Sequence, residues 1–337
     1  MAKKPFGGNY LKVEFRVSYD KKTDSINLTS KDKDLQGEKG FRLTLNRGRD
    51  AEHELRKLLE REGLIPKGKP KEIPDRVLFG NSQSHGTWNK FPLGEFANSK
   101  EVIWDPTKSP NILLSGSAGS GKSVIQRNII FHCIQHPKEW SFLGVDLKQV
   151  ELTPYLKYTD SVLGVATNVE SALEAILFTH EEMLSRYQTM EESGANNFRD
   201  LDTPPKALML MVDEAFMLFA QSGRKDPEAL KEDSLKAEAL KKIFDIANLG
   251  RPTGIHLVLA TQRVDGSIFS GELRQHLSTR IATGRMDYQG SYMTLNNDQA
   301  TKLNGSIKCR GYFQEFGEGA EFQAYFAPQD WIDNNLN

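Results

Sequence analysis

A glycine-rich loop over residues 116–123 of this 337-residue chain carries the side chains best suited to chemistry. Its letters, GSAGSGKS, match the pattern G-x-x-x-x-G-K-[ST] that binds nucleotide phosphates. Glycines allow consecutive backbone N–H groups to turn toward phosphate oxygens. Lys122 is suited to reach the β- and γ-phosphates, and the Ser123 hydroxyl is suited to ligate Mg²⁺. The predicted phosphate-binding residues are Gly116, Gly119, Ser120, Gly121, Lys122, Ser123 and Val124.

The segments on either side of this loop are typical of a strand and a helix. Residues 112–114 are an apolar run before the loop, and residues 124–131 place apolar side chains at helical spacing after it. A helix that begins at Lys122 points the positive end of its dipole at a bound anion. This order of strand, loop and helix favours a nucleotide-binding loop over a chance turn rich in glycine and serine.

A second apolar strand ends in two acidic residues. Residues 208–212 are entirely apolar, and Asp213 and Glu214 follow them directly. Ligands of open α/β sheets bind at the carboxyl ends of the strands. Asp213 is therefore predicted to hold Mg²⁺ together with Ser123, and Glu214 to orient or deprotonate an attacking water. The alternative is a strand whose two acids only favour the N-terminus of the next helix.

A third run of strand length, over residues 255–260 and apolar except for His256, is followed by polar Thr261 and Gln262. If this strand lies beside the other two, Gln262 faces the γ-phosphate of a bound nucleotide. It could then report hydrolysis to the segment that follows Arg263. The alternative is that Gln262 is an ordinary loop residue.

The composition is that of a globular protein, with 38% hydrophobic and 26% charged residues and a formal net charge of −1. Residues 1–100 nevertheless carry 21 Lys and Arg against 14 Asp and Glu. This excess indicates either a polyanionic partner or a solvated lysine-rich surface.

The two cysteines have no metal-site spacing, which indicates a reducing compartment. No apolar run is long enough to cross a bilayer, so we expect a cytoplasmic protein without a membrane segment.

Apolar runs of strand length alternate with helical patterns from about residue 100 onward. This alternation predicts an α/β fold with a mainly parallel central sheet. The highly charged residues 221–236 are predicted to be a surface loop that runs into a helix, and this helix continues over residues 237–249. Alternating residues beyond position 309 predict short antiparallel strands.

The first part of the chain has a different pattern. It predicts a small α+β domain that includes a mobile loop over residues 19–40 and a helix over residues 50–63. A stretch rich in proline and lysine then marks a linker. The predicted domains are 1–75 for this small α+β domain, 76–104 for a connecting segment, and 105–330 for the nucleotide-binding domain.

Five stretches resemble, in order, the motor domain of the FtsK/SpoIIIE family of hexameric DNA translocases. They are NILLSGSAGSGKSV, VDLKQVEL, the helix around EEMLSRYQTMEESGANNF, MLMVDEAFMLF, and LGRPTGIHLVLATQRVDGSI with STRIATGR. The resemblance spans roughly residues 105–310. It implies a RecA-like P-loop ATPase fold with ATP and Mg²⁺ as cofactors. It also implies assembly into a homo-oligomeric ring, usually a hexamer, and ATP-driven movement of double-stranded DNA through the pore.

The resemblance also implies roles for individual residues. Glu214 and Gln262 match the catalytic acid and the sensor of the γ-phosphate. Arg280 matches the arginine that the family presents to the nucleotide of a neighbouring subunit, with Arg251 and Arg263 as second choices. The alternative for Arg280 is a plain surface arginine. The residues that fall where the family places its DNA-gripping pore loops are Arg285, Lys302, Lys308 and Arg310.

Two further functions remain open. Conjugative coupling proteins and type VII secretion ATPases are relatives, and some of them move protein or protein–DNA complexes. Under this second hypothesis, nucleotide binding controls assembly, and residues 1–100 recruit a protein partner. The third hypothesis is a helicase of similar fold that acts on single-stranded nucleic acid. The family's N-terminal membrane segments and C-terminal winged-helix domain have no match here, which favours a soluble member that serves a plasmid, a phage or an integrative element.

Overall fold

Two compact units make up the chain in this computed structural model, Met1–Lys71 and Glu72–Asn337. The structure describes residues 15–20, 25–30, 42–46, 73–82, 86–97 and 99–335. The described strands of the first unit form an antiparallel sheet in the order β1–β2–β3. Their bounds are Phe15–Asp20 for β1, Ser25–Ser30 for β2 and Arg42–Asn46 for β3.

Strand β2 corrects the loop predicted over residues 19–40. The letters SINLTS alternate polar and apolar residues, and this period of two outweighs the Lys- and Asp-rich composition around them. Strand β3 agrees with the alternation of Arg42, Leu43, Thr44 and Leu45. The helix predicted over residues 50–63 lies outside the described residues.

The second unit is built on a sheet of eleven described strands. Ten of them lie in the order β6–β5–β14–β13–β12–β7–β11–β10–β8–β9, and β4 pairs with β14. Their bounds are Val77–Leu78 (β4), Phe91–Phe96 (β5), Glu101–Trp104 (β6), Asn111–Gly116 (β7), Trp140–Val145 (β8), Val162–Ala166 (β9), Ala207–Val212 (β10), Ile255–Thr261 (β11), Thr279–Thr283 (β12), Arg310–Glu315 (β13) and Glu318–Phe326 (β14).

The sheet has a parallel and an antiparallel part. The six strands from β12 to β9 are parallel to one another, which confirms the mainly parallel sheet predicted from the sequence. Strands β13 and β14 are antiparallel, as the alternation beyond position 309 indicated. Strands β7, β10 and β11 are buried along their whole length because they lie in the middle of the parallel part, covered on both faces.

The stretch 76–104, expected to be a connecting segment, contributes three strands to this sheet. Strand β5 pairs with β14 on one side and with β6 on the other. Phe91, Leu93, Val102 and Trp104 from these two strands have no solvent exposure. These residues therefore extend the large sheet at its antiparallel edge.

Seven described helices belong to the second unit. They are Lys122–Gln135 (α1), Val169–Ser193 (α2), Ala215–Phe219 (α3), Pro227–Leu249 (α4), Gly271–His276 (α5), Tyr288–Leu295 (α6) and Gln329–Asn335 (α7). Helix α4 begins at Pro227, so the loop expected to run into a helix within residues 221–236 is short and most of that segment is helical. The Asp226 side chain accepts the N–H of Ala229, and Pro227 occupies the first turn, so this segment has a standard N-cap.

Apolar layers cover both faces of the sheet. On β7, Ile112 and Leu114 belong to one apolar cluster and Leu113 to the other, because neighbouring residues of a strand point to opposite faces. Helix α1 packs on the first face, and helices α2 and α4 pack on the second. The result is a three-layer α/β unit in which the strand ends, rather than the faces, are open to a ligand. Within the described residues, every helix is too short or too polar to span a membrane.

Candidate active site

The phosphate loop connects β7 to α1, as the sequence predicts. Gly119 and Gly121 have φ angles of +75° and +110°, which side-chain-bearing residues rarely adopt. Gly121 is also the N-cap of α1, so the first N–H groups of the helix face the loop. The loop is closed on one side by β12, since the Ser120 and Thr283 hydroxyl oxygens lie 2.7 Å apart.

Strand order brings the other predicted residues to this loop. Strand β11 lies between β7 and β10, and the three strands are parallel. Their carboxyl ends therefore meet at one edge of the sheet. Asp213 and Glu214 follow β10, and Gln262 follows β11, so all three line the same cavity as Lys122 and Ser123.

A buried ion pair joins the phosphate loop to β10. The Lys122 Nζ lies 2.7 Å from Asp213 Oδ1, and both side chains are less than a tenth exposed. Gln126, one helical turn after Lys122, donates its amide N–H to the same Asp213 oxygen at 3.0 Å. These two donors therefore offset the free-energy cost of burying the charged Asp213 carboxylate.

Three donors converge on one oxygen of Glu214. Its Oε1 accepts from Gln262 Nε2 at 2.6 Å, from Lys148 Nζ at 2.9 Å and from Lys122 Nζ at 3.5 Å. Burial alone would raise the pKa of Glu214, but the hydrogen bond from Lys148, the charge of Lys122 and the hydrogen bond from Gln262 together lower it below its ordinary value. Glu214 is therefore held as an anion, which is the form that a general base requires.

The loop after β8 supplies contacts that the sequence reasoning assigned to no role. Asp146 directly follows this strand, and its Oδ2 accepts the backbone N–H groups of Glu151 and Leu152, both at 2.9 Å. The same loop brings Glu151 to the Ser123 hydroxyl, which donates to Glu151 Oε1 at 2.7 Å. The sequence did contain a signal for these contacts, because the segment 146–152 follows the carboxyl end of a buried parallel strand, as Asp213 and Gln262 also do.

The cavity around these residues has a volume of about 720 Å³. At one part of its wall, the Arg76 guanidinium lies 4.7 Å from the centre of the Phe326 ring.

Ser123 and Asp213 supply the hydroxyl and carboxylate oxygens with which a protein holds Mg²⁺ beside phosphates. Among the described residues, no group of three or more His, Cys, Asp and Glu side chains could hold a metal ion by itself. A magnesium ion here would thus depend on the phosphates for further ligands.

The arginines expected to act across a subunit interface lie outside this cavity. Arg280 lies on β12, and its guanidinium donates to the main-chain carbonyls of Arg274 and Leu277. Arg251 donates to the Thr107 carbonyl at 3.2 Å, and Arg263 pairs with Asp265 at 2.6 Å. These contacts are all within one chain.

The four residues expected on the pore loops lie in different surroundings. Arg285 is exposed, and Lys302 is exposed and paired with Asp298 at 3.1 Å. Lys308 lines the cavity of the phosphate loop. Arg310 differs from the expectation, because it is only 5% exposed and its guanidinium donates to main-chain carbonyls, carboxylates and a side-chain amide oxygen. The partners of Arg310 are Ile73, Pro74, Asp75, Glu321 and Gln323.

Comparison with known proteins agrees with this arrangement. The model of the FtsK/SpoIIIE family matches residues 79–235, which contain the phosphate loop, the acidic pair and the loop after β8. Residues 79–235 of the chain are therefore similar to the FtsK/SpoIIIE family. The family is one of P-loop ATPases, and the fold, the motif and the strand order described above are consistent with that class.

Curated relatives are longer proteins. The DNA translocase FtsK of Streptococcus pneumoniae is 27% identical over 258 residues, which cover 72% of this chain and 32% of the relative. The DNA translocase FtsK of Corynebacterium glutamicum is 28% identical over 260 residues, which cover 71% of this chain and 27% of the relative. The chain thus spans between about a quarter and a third of the length of these relatives.

Solved structures share the fold. The pCW3 conjugation coupling protein TcpA, in a monomer form with ATPγS, superposes with a TM-score of 0.70 and 23% identity, over 96% of this chain and 92% of that one. The cytoplasmic domain of the type VII secretion ATPase EccC of Thermomonospora curvata gives a TM-score of 0.59 and 24% identity, over 77% of this chain and 31% of that one. At this level of identity the likeness establishes the fold alone.

Proposed function

We propose that this chain is an ATP-hydrolysing motor that moves double-stranded DNA as part of a homo-oligomeric ring. The observation that carries the proposal is the convergence of Lys122, Asp213, Glu214 and Gln262 on one cavity at the carboxyl ends of three adjacent parallel strands. The match of residues 79–235 to the FtsK/SpoIIIE family, and relatives named DNA translocases, support DNA as the substrate that is moved.

Each residue of the cluster has a distinct part in the proposed hydrolysis. The backbone of the phosphate loop and Lys122 bind the phosphates, and the Lys122–Asp213 ion pair is exchanged for contacts with them. Glu214 accepts a hydrogen bond from the attacking water and draws its proton during attack on the γ-phosphate. Gln262, which bonds Glu214 at 2.6 Å, couples the state of the γ-phosphate to the segment after β11.

Mg²⁺ fits the donors that the cavity offers. Ser123 and Asp213 would hold it, and the metal would neutralise charge on the phosphates when bound. The Ser123 hydroxyl donates its hydrogen to Glu151, which leaves the lone pairs of its oxygen free to ligate the ion. The proposed role of Glu151 is to keep the hydroxyl on the cavity wall.

DNA contacts are proposed at exposed cations only. Arg285 and Lys302 remain candidates because both are exposed, whereas Arg310 is buried and bound by five residues of its own chain. Lys308 is better placed for the nucleotide phosphates than for DNA, since it lines the cavity of the phosphate loop. Cations of this kind would bind the DNA backbone without reading its sequence.

The test is the steady-state ATPase rate of the whole chain with and without linear duplex DNA, at low and moderate salt. We expect duplex DNA to raise the rate, and moderate salt to remove much of that increase because phosphate contacts release counterions. Glu214→Gln should lower the rate by about 10²-fold or more and leave ATP binding intact. A rate that is the same with duplex DNA, single-stranded DNA and no DNA would contradict the proposal.

A second candidate is a coupling ATPase that recruits a protein or protein–DNA substrate. The fold likeness to TcpA favours it, because that conjugation coupling protein matches this chain over nearly its whole length. In this case the unit Met1–Lys71 would bind the substrate. ATPase activity that responds to a protein from the same element, and not to DNA, would select this candidate over the motor.

A further inference from the structure

We propose that Lys148 is a positioning residue for ATP hydrolysis, which holds the Glu214 carboxylate in the orientation that accepts the attacking water. The inference rests on the hydrolysis proposed above. Its basis is the 2.9 Å contact between Lys148 Nζ and Glu214 Oε1 on the wall of the phosphate-loop cavity.

All the donors to Glu214 approach the same oxygen. Lys122, Lys148 and Gln262 each contact Oε1, and no side chain among the described residues donates to Oε2. A carboxylate held in this way has one oxygen fixed by the protein and the other available to a water molecule. This is the geometry that a general base needs, because the base must accept a proton from a defined direction.

Of the three donors, Lys148 is the one without a second proposed task. Lys122 is needed at the β- and γ-phosphates, and Gln262 is proposed to follow the γ-phosphate. Among the described residues, the partner of the Lys148 ammonium is Glu214. When the other two donors turn to the nucleotide, Lys148 keeps the orientation of Glu214.

The backbone around both residues supports a fixed contact. Glu214 has a φ angle of +51°, a left-handed conformation that a glutamate adopts only when its surroundings hold it there. The loop that carries Lys148 is held in place by Asp146, which accepts two backbone N–H groups of that loop. The lysine side chain is 45% exposed and the glutamate side chain 10%, so the ammonium reaches in from the cavity rim.

The experiment compares Lys148→Met, Lys148→Arg and the wild type, with Lys231→Met as a matched control at an exposed position of α4. We measure kcat and KM for ATP, and the affinity for ATPγS by titration. We expect Lys148→Met to lower kcat by roughly 10- to 100-fold, with the ATPγS affinity within about twofold of the wild type. Lys148→Arg keeps the charge and should recover most of that loss, and Lys231→Met should behave as the wild type.

Three results would overturn the inference. An unchanged kcat means that Lys148 does not act on Glu214. A raised kcat means that the contact restrains the base. A loss of ATPγS affinity in step with kcat means that Lys148 binds phosphate. If the wild type itself has no ATPase activity, the proposed function fails instead, so the two failures are distinguishable.

Discussion

At the scale of single residues, Gly121 shows how tightly the phosphate loop is packed. A Cβ atom at this position would lie 2.6 Å from the Cα atom of Cys309, just before β13. The backbone N–H of Cys309 also donates to the Ser120 carbonyl at 3.2 Å, so the contact is between two main chains. Gly119 has a positive φ angle as well, but a Cβ there would meet nothing within 4 Å. An alanine at Gly119 therefore introduces backbone strain alone, whereas an alanine at Gly121 introduces the same kind of strain together with a steric clash.

We predict that Gly121→Ala destabilises the protein more than Gly119→Ala. Both variants force alanine into a left-handed conformation, which costs about 1–2 kcal/mol. Only Gly121→Ala also pushes the loop against the Cys309 backbone, which adds about 1–3 kcal/mol. Chemical denaturation should thus show a free energy of unfolding about 2 kcal/mol lower for Gly121→Ala than for Gly119→Ala. Equal values would mean that the segment before β13 moves freely away from the loop.

The motif residues were predictable because their roles depend on local spacing alone. The glycine loop, Lys122 and the acidic pair follow from a pattern and the strand before it. The contacts of Arg310 were not predictable, because they depend on how the segment 73–75 and β14 pack around it. Lys148 lay between these cases, since its place after a buried strand was visible but its partner Glu214, 66 residues further along the chain, was not.

At the scale of elements, β11 lies between β7, which leads into the phosphate loop, and β10, which leads into the acidic pair. It carries a buried histidine, His256, whose Nδ1–H donates to the Pro110 carbonyl at 3.2 Å. Burial lowers the pKa of His256 to about 3, and the charges of Arg186 and Arg199 act in the same direction, against the hydrogen bond to Pro110 and the charge of Asp105. The folded protein therefore keeps His256 neutral, while the unfolded chain takes up a proton near the ordinary pKa of 6.5.

This pKa difference predicts a loss of stability in mild acid. Between pH 6.5 and about 3 the unfolded state binds one more proton at this residue than the folded state, so stability falls as the pH falls. At pH 5.5 the loss from His256 is about 1.4 kcal/mol relative to neutral pH. Urea unfolding at pH 7.5 and pH 5.5 should show that His256→Gln loses less stability than the wild type by this amount. An identical pH dependence of the two proteins would contradict a neutral buried His256.

Element boundaries were less predictable than element types. The charge of residues 221–236 suggested a loop, although Asp226 and Pro227 are a standard helix start, and α4 continues for 23 residues. Its charged face is solvent-exposed, which explains why an apolar pattern is weak there. Strands β4 and β5 were difficult to predict for another reason, because their partner β14 lies more than 200 residues later, and β6 in turn pairs with β5.

At the scale of the whole molecule, the proposed ring requires each site to be completed by a neighbour. A head-to-tail contact places different surfaces of two identical subunits together, so an arginine of one can reach the nucleotide of the next. Arg280 is the proposed residue. Within its own chain it lies on β12 outside the cavity, where its guanidinium donates to the main-chain carbonyls of Arg274 and Leu277. An arginine at this place would stabilise the charge that develops on the transferred phosphate.

We predict that Arg280→Ala and Glu214→Gln each abolish most ATPase activity alone and restore part of it when mixed. In a random equal mixture, about a quarter of the interfaces combine an intact Glu214 site with an intact Arg280 from its neighbour. Arg274→Ala is the matched control, because Arg274 also binds main-chain carbonyls, at Phe269 and Met293, and should leave the rate unchanged. A mixture no more active than either variant would argue against an action of Arg280 across the interface.

The most direct test of the account is whether ATP hydrolysis at this site moves the protein along duplex DNA. The measurement is displacement of a labelled third strand from the end of a linear duplex, with the wild type and Glu214→Gln compared at equal concentration. The account predicts ATP-dependent displacement by the wild type and none by Glu214→Gln, although both bind ATP. No displacement by a wild type whose ATPase activity is raised by duplex DNA would contradict the central claim that this chain is a DNA motor.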